Sequence, residues 1–297
     1  MEVFDRRAVG RHRDRAAPHL DKHDFLFREV AERLADRLDD VKRRFPLALD
    51  LGCHTGQMAR QLGRRGGIET LVHCDLSPKM ARRAGPFAVA ADEEALPFAE
   101  ERFDLVLSCL SLHWINDLPG ALVQVRRGLK PDGLFLAAML GGDTLGELRT
   151  AFAEAEIAEE GGLSPRVSPF ADVRDAGQLL QRAGFALPVV DADVVTVSYG
   201  DPLRLMADLR GMGESNAVAE RRKGFTRRAT LGAAQARYRA LFGDADGRVD
   251  STFRVLYLTA WAPHPAQQKA LAPGSARTRL AEALGTTEIP AGEKAKP

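Results

Sequence analysis

Three short stretches of the chain place acidic side chains directly after apolar, strand-like segments. ALDLGCHTG (48–56) begins as a buried strand and reaches Asp50 just before a glycine-containing turn. Asp75 ends a second such segment, and ADEEALPF (91–98) follows a third. Carboxylates accept hydrogen bonds and carry negative charge, so they can hold ammonium groups, hydroxyls and amines. The pattern predicts a binding site for a ligand rich in hydrogen-bond donors.

The turn after the first strand lacks the pattern of a pyrophosphate site. A dinucleotide fingerprint, G-x-G-x-x-G, needs glycines at its third and sixth positions, and here those positions are His54 and Gln57. NAD and FAD are therefore disfavoured. The shorter pattern D-x-G-x-x-x-G, with Gly52 and Gly56, fits better. We expect His54 to adopt left-handed backbone angles, at a cost of about 1–3 kcal/mol, and to line the site.

Each acid in this set has its own expected role. Asp50 receives an ammonium group, directly or through water. Asp75 accepts both hydroxyls of a ribose, as an acid at the end of a second strand does in open α/β sheets. Asp92 accepts the exocyclic amine of adenine. Because parallel strands end at one edge of a sheet, the three acids are expected to meet at that edge.

The elements that must position these residues alternate between helices and strands. Apolar residues recur every three or four positions in 24–45, which predicts an amphipathic helix. Strands are predicted to end at 51 and to span 69–75, 86–91, 103–110, 133–140, 188–199 and 252–263. Strands that alternate with helices indicate an α/β fold with right-handed crossovers. We predict a Rossmann-like, seven-stranded, mostly parallel sheet with helical insertions after strands five and six.

The predicted organisation is one sheet-containing domain with additions at both ends. Residues 1–45 form an N-terminal helical segment, 46–263 form the domain, and 264–297 form a disordered tail. Insertions at about 141–170 and 201–245 act as a lid over the site. A separate domain beginning at residue 141 is the alternative. One domain is preferred, because the two late strands need a sheet to join.

Composition excludes several classes of partner. Lys plus Arg is 42 and Asp plus Glu is 41, so the net charge of +1 gives no electrostatic case for nucleic acid. No apolar run approaches the roughly 18–20 residues that span a bilayer. The three cysteines have no paired spacing, which suits a reducing compartment. The N-terminus is Arg-rich but carries acids, which weakens a targeting-peptide interpretation. We expect a cytoplasmic protein, with the mitochondrial matrix as the alternative.

The motifs, taken in order, resemble a known family. ALDLGCHTG, HCDLSP, ADEEALPF and FDLVLSCLSLHW are similar to the class I methyltransferases that use S-adenosylmethionine. A further set of motifs resembles the complex I assembly factor family of methyltransferase-like proteins: VFDRRAV, LSLHWINDLP, LKPDGLFLAAMLGGDTLGELR, SPRVSPF and LRGMGESN. The malonyl-carrier-protein methyltransferases of biotin synthesis are similar too, mainly through the cofactor core.

This resemblance implies both a cofactor and a substrate. The cofactor is S-adenosylmethionine, and the substrate is a protein, an iron–sulfur subunit of NADH:ubiquinone oxidoreductase, on which an arginine is hydroxylated. Methylation of a carboxylate, as in malonyl-carrier protein, and a non-catalytic assembly chaperone remain alternatives. The expected cofactor-binding residues are Asp50, Gly52, Cys53, His54, Gly56, Asp75, Leu76, Asp92, Glu93 and Ser108.

The catalytic residue is not fixed by the sequence. Candidates are His113, Trp114, Asp143 and Glu214, of which the two acids can pair with a guanidinium. Trp114 can pack over the cofactor or seal the core, and capping of the next helix is an alternative role for Asp143. No C-x-x-C or H-x-x-x-H spacing supports a metal site, so none is predicted.

Overall fold

The computed structural model describes residues 2–268 and 274–289. The chain divides into two compact units, Met1–Pro263 and His264–Pro297. The described part of the second unit contains one short helix, Leu280–Ala283. Of the predicted disordered tail, 264–297, residues 269–273 and 290–297 lie outside the described residues. None of the described helices is long and apolar enough to cross a membrane.

A single mixed sheet organises the first unit. Its strands are β1 (Leu47–Leu51), β2 (Thr70–Asp75), β3 (Ala88–Ala90), β4 (Phe103–Cys109), β5 (Leu129–Leu140), β6 (Ala186–Tyr199) and β7 (Val249–Trp261). Their order in the sheet is β3-β2-β1-β4-β5-β7-β6. Strands β1 to β5 pair in parallel, and β7 is antiparallel to both β5 and β6. The predicted seven-stranded, mostly parallel α/β fold is confirmed.

Helices connect the strands and cover both faces of the sheet. They are α1 (Arg6–Ala16), α2 (Phe25–Asp36), α3 (Gln57–Leu62), α4 (Pro78–Ala84), α5 (Leu118–Gly128), α6 (Gly146–Glu160), α7 (Val173–Arg182), α8 (Pro202–Met212) and α9 (Arg228–Phe242). Along β5, Leu134 and Leu136 join one hydrophobic cluster, whereas Phe135 and Ala137 join the other. A strand buried on both faces needs apolar residues at every position, which explains the unbroken apolar run in β5.

The helix predicted over 24–45 is shorter in the structure. Helix α2 ends at Asp36, and the backbone continues in tight turns in which the N–H of Leu38 donates to the carbonyl of Ala35 at 3.0 Å. Leu38 is nevertheless buried. The apolar spacing therefore marked the buried positions correctly, while turns rather than a helix present the last of them to the core.

The N-terminal segment packs against the first unit's sheet edge. Asp5 caps α1 by accepting from the N–H of Ala8 at 2.9 Å. Phe4 and Val9 belong to a small apolar cluster with Trp114, and the N–H of Asp5 donates to the carbonyl of Ala217 at 2.8 Å. Helix α1 is thus held over the carboxyl ends of the central strands.

Candidate functional site

The glycine turn after β1 has the backbone geometry that the sequence predicts. Gly52 and Gly56 have φ angles of 68° and 88°, and His54 has a φ of 48°, so all three lie in the left-handed region. The N–H groups of Gly52 and Cys53 both donate to the carbonyl of Cys74, at 2.7 and 3.0 Å. Burial raises the pKa of the Cys53 thiol, with Asp75 adding to the effect, so the thiol stays neutral. The turn is therefore fixed against the end of β2.

His54 is buried between three elements. Its N–H donates to Asp75 Oδ2 at 3.0 Å, and its ring lies 4.4 Å from the ring of Phe27. Its Nε2 lies 3.1 Å from the carbonyl oxygen of Cys109. Because a carbonyl only accepts, Nε2 carries the proton, and the buried Nδ1 has no partner among the described residues. Burial lowers the pKa of His54, and the charge of Arg13 lowers it further, so the ring is neutral.

The acids after β2 and β3 meet in one buried cluster. Asp75 and Glu93 are both fully buried. Asp75 Oδ1 accepts from the N–H of Ser77 at 2.8 Å, and Glu93 Oε1 accepts from the hydroxyl of Ser111 at 2.8 Å. Burial alone would raise the pKa of Glu93, but Arg13 and then Arg6 lower it to about 2. Glu93 is therefore ionised at neutral pH.

Two arginines of α1 supply the positive charge, and the sequence reasoning missed both. Arg13 is fully buried and lies 3.0 Å from Glu93 Oε1 and 3.4 Å from Asp75 Oδ1. Arg6 lies 2.6 Å from Asp92 Oδ1 and also pairs with Glu93. Residues seven apart lie on the same face of a helix after two turns, and that spacing was the available signal.

The remaining predicted cofactor residues lie around this cluster. Asp50 is fully buried, and its Oδ2 lies 3.4 Å from His73 Nδ1 while Oδ1 has no partner among the described residues. The buried hydroxyl of Ser108 also has none. Leu76 packs beside Gly10 of α1. These unpaired oxygens face no protein donor, which is the arrangement expected where a ligand completes the hydrogen bonding.

The site fits S-adenosylmethionine in its chemistry, but part of its space is taken. The acids suit the hydroxyls and amines of an adenosine, and Asp50 suits an ammonium group. However, a Cβ added to Gly52 would lie 2.1 Å from Ser111, so the turn packs directly on the segment after β4. The guanidinium of Arg13 lies 3.4 Å from Asp75 Oδ1, on the acid expected to accept the ribose hydroxyls, and 3.0 Å from Glu93 Oε1.

A second site lies beyond β4 and holds three of the four catalytic candidates. Trp114 Nε1 donates to Glu214 Oε2 at 2.7 Å, and His113 Nε2 lies 3.0 Å from the same oxygen. The N–H of Leu140 donates to His113 Nδ1 at 3.4 Å, so Nε2 carries the ring proton and donates to Glu214. The other carboxylate oxygen, Oε1, is buried and has no partner among the described residues.

The electrostatics keep Glu214 ionised. Its side chain is 6% exposed. Burial would raise its pKa, but the electrostatic interaction and hydrogen bond with His113, followed by the charge of Arg13, lower it below the ordinary value. Glu214 and Trp114 line a cavity of about 430 Å³, together with apolar side chains that include Leu145, Phe152 and Phe170. A negative group with a spare acceptor thus lies in a largely apolar cavity.

Asp143 does not join this group. Its side chain is 85% exposed and lies 3.4 Å from Arg149. The helix after it begins at Gly146 with no side-chain cap, so the capping role considered for Asp143 is not observed either. Arginines missed in the sequence, Arg166 and Arg222, line the cavity instead and pair with Glu156 and Glu160. Among the described residues, no group of three or more His, Cys, Asp or Glu side chains is arranged to hold a metal ion.

Comparisons with known proteins identify the family. A family model for the methyltransferase domain matches residues 49–137. The chain is 48% identical to arginine-hydroxylase NDUFAF5 of Danio rerio, over 95% of this chain and 89% of that protein. It is 44% identical to the Homo sapiens protein of the same name, over 100% and 88%. The chain belongs to the NDUFAF5 family of complex I assembly factors. The family is one of enzymes, and its members include proteins named as hydroxylases.

Other relatives agree with the wider resemblance. A malonyl-[acyl-carrier protein] O-methyltransferase of Halorhodospira halophila is 38% identical to this NDUFAF5-family chain, over 93% of this chain and 94% of that protein. Among solved structures, the YcgJ protein of Bacillus subtilis matches with a TM-score of 0.53 at 15% identity, over 78% of this chain and 98% of that one. That structural likeness supports the class I methyltransferase fold and nothing further.

One expectation from the sequence is overturned by these relatives. The cytoplasmic location is wrong, because the NDUFAF5 proteins of Danio rerio and Homo sapiens are both named as mitochondrial. Composition had pointed to a reducing compartment without a targeting signal. Amino-acid composition reports on redox conditions and charge, and these do not separate the cytoplasm from the mitochondrial matrix.

Proposed function

We propose that this protein modifies an arginine side chain of a protein partner, with S-adenosylmethionine bound at the carboxyl edge of β1 to β4. The observation that carries the proposal is Glu214. Its Oε2 is held by Trp114 and His113, and its buried Oε1 has no partner among the described residues. A guanidinium presents several N–H donors in a planar fork, so it can satisfy a fixed carboxylate oxygen.

The residues that line the cavity favour an arginine substrate over a carboxylate substrate. The arginine stem is a chain of methylene groups, and Leu145, Phe152 and Phe170 offer apolar walls to it. A malonyl carboxylate would meet the negative charge of Glu214, while Arg166 and Arg222 are already paired with acids. Carboxylate methylation, the function named for the Halorhodospira halophila relative, is therefore the weaker candidate.

The reaction class follows the names of the relatives. Proteins 44–48% identical to this chain are named arginine-hydroxylases, and we propose hydroxylation of arginine here as well. The resemblance of the motifs further suggests that the arginine belongs to an iron–sulfur subunit of NADH:ubiquinone oxidoreductase. Bound S-adenosylmethionine would supply a transferable methyl group in the methylation alternative. The acids of the first site, Asp50, Asp75 and Asp92, are proposed to hold its donors.

Mass spectrometry of the partner tests this proposal. Purified protein is incubated with the candidate subunit, S-adenosylmethionine, molecular oxygen and a reductant. The masses of the arginine-containing peptides are then measured. The proposal expects one arginine to gain the mass of an oxygen atom. A subunit with that arginine replaced by lysine serves as the control and should stay unchanged.

Other outcomes separate the alternatives. Gain of a methyl group on the arginine would support the proposed arginine site but indicate methylation rather than hydroxylation. Methylation of a malonyl-carrier protein by the same preparation, with no change in the subunit, supports the carboxylate alternative. A stable complex without any mass change supports the chaperone alternative and contradicts the enzyme proposal.

A further inference from the structure

Helix α1 supplies cations to the acids expected to bind the nucleoside. Arg13 donates to Glu93 at 3.0 Å, to Asp75 at 3.4 Å and to the hydroxyl of Ser111 at 2.8 Å. Arg6 donates to Asp92 at 2.6 Å and also to Glu93. Both are held by the fold, since Arg13 is fully buried and the side chain of Arg6 is 12% exposed. The expected ligand acceptors are thus occupied from within the chain.

A guanidinium and an adenosine make the same demand on these acids. Both present hydrogen-bond donors, the guanidinium through its N–H groups and the adenosine through two hydroxyls and an amine. Asp75, Glu93 and Arg13 are all fully buried, so the guanidinium of Arg13 fills space beside the two carboxylates that an adenosine would need. The turn is also packed tightly at Gly52, where an added Cβ would lie 2.1 Å from Ser111.

We propose that α1 is an internal competitor of the cofactor, which binds only after α1 has withdrawn Arg13 from Asp75 and Glu93. This inference rests on the proposed use of S-adenosylmethionine. The exchange replaces one set of donors by another, so the acids remain paired in both states. The apparent affinity for the cofactor is then reduced by the fraction of molecules in which α1 is closed.

The same helix also forms part of the second site. His12 lines the cavity that contains Glu214, and its Nδ1 lies 3.1 Å from the carbonyl oxygen of Ser215, to which it donates. Gly213, which precedes Glu214, packs so closely on α1 that an added Cβ would lie 3.3 Å from the Cα of Arg13. Movement of α1 therefore changes the wall of the substrate cavity as well. Coupling between two sites is reciprocal, so a substrate that favours the open wall also favours cofactor binding.

A reversible lock on α1 tests the proposal directly. An added Cβ at Gly10 would lie 3.7 Å from Cγ of Leu76, so Gly10→Cys and Leu76→Cys together place two thiols within reach of a disulfide. Formation of the bond is confirmed by thiol titration and by intact mass. Calorimetry then measures the affinity for S-adenosylhomocysteine in oxidised and in reduced samples of the same preparation.

We expect the oxidised double-cysteine protein to bind at least tenfold more weakly than the reduced form of the same protein, so the comparison does not depend on any effect of the two substitutions themselves. Equal affinity in the two forms would overturn the proposal. A second variant, Arg13→Met combined with Glu93→Gln, removes both partners of a buried pair and leaves no unpaired charge on Glu93. When these two changes are added to the double-cysteine protein, the difference in affinity between its oxidised and reduced forms should become smaller, because the competing guanidinium is gone.

The control is Arg15→Ala, which alters an exposed arginine of the same helix and should leave the affinity within twofold. Failure of the cofactor assignment would look different from failure of the competitor. If the unaltered protein does not bind S-adenosylhomocysteine either, the cofactor proposal itself is contradicted, and this inference falls with it. If all forms bind equally, only the competitor is contradicted.

Discussion

Two buried carboxylate sites lie at the same edge of the sheet and differ in how their charge is balanced. Glu93 forms ion pairs with two arginines of α1 and accepts a hydrogen bond from a serine hydroxyl. Glu214 receives one indole and one imidazole donor on a single oxygen, and its other oxygen has no partner among the described residues. Both acids are ionised, since the pKa of each is lowered despite burial.

The difference shows that burial of an acid does not by itself indicate a ligand site. A buried charge must be compensated, and the chain can supply the compensation or leave it to a ligand. At Glu93 the chain supplies the compensating charge through Arg6 and Arg13, so helix α1 covers that site. At Glu214 the compensation is partial, which leaves a spare acceptor in the cavity for a donor from outside.

The largest expected effect comes from Arg13→Ala. This change leaves Asp75 and Glu93 buried beside an empty position, and loss of one partner of a buried ion pair costs about 3–5 kcal/mol. Urea unfolding should show that loss, whereas Arg15→Ala, on the exposed side of the helix, should change stability by less than about 0.5 kcal/mol. Adding Glu93→Gln to Arg13→Ala should restore part of the loss. Undiminished stability in Arg13→Ala would mean that the pair is not formed.

The pH dependence of stability sharpens the same contrast. A carboxyl whose folded pKa lies below its unfolded value stabilises the fold above the unfolded pKa and loses that contribution as the pH falls through the folded pKa. For Glu93 the pKa falls from 4.5 to about 2, because the arginines outweigh the effect of burial. Roughly 3 kcal/mol of stability should therefore be lost as the pH falls from about 4.5 to 2. Glu93→Gln should flatten that part of a urea-unfolding profile; an unchanged slope would contradict the assignment.

The smallest expected stability effect is that of Glu214→Gln. The amide oxygen of glutamine can still accept from Trp114 and His113, and the other carboxylate oxygen loses no protein partner. Because the new amide N–H groups have no acceptor among the described residues, we expect a loss of about 1–2 kcal/mol in thermal or urea unfolding, below that of Arg13→Ala. A loss as large as that of Arg13→Ala would show that Glu214 serves the fold rather than a ligand. Glu159→Gln, an exposed acid of α6, is the matched control.

The sequence was informative wherever a local pattern decides the structure. The alternation of strands and helices, the acid at the end of β2 and the left-handed backbone of His54 all depend on neighbours within a few residues. The ring of His54 was less predictable, since its bond to the carbonyl of Cys109 joins residues 55 positions apart.

The two sites themselves depended on contacts that local patterns do not encode. Arg13 looks like one charge among many in an Arg-rich N-terminus, and a surface position is the ordinary place for such a residue. Asp143 and Glu214 were equal candidates in the sequence, yet one side chain is 85% exposed and the other 6%. The burial of Glu214 is set by the packing of the loop after α8 against Trp114, which tertiary structure alone decides.

Calorimetry with two peptides tests the central claim most directly. One peptide carries the candidate arginine, and the other carries citrulline, which has nearly the same shape but no charge. If Glu214 Oε1 receives a guanidinium, the unaltered protein should bind the arginine peptide at least tenfold more tightly, as expected when a charge-assisted hydrogen bond of about 1.5–3 kcal/mol is lost. Glu214→Gln should bind both peptides alike. Equal binding of the two peptides by the unaltered protein would contradict the account.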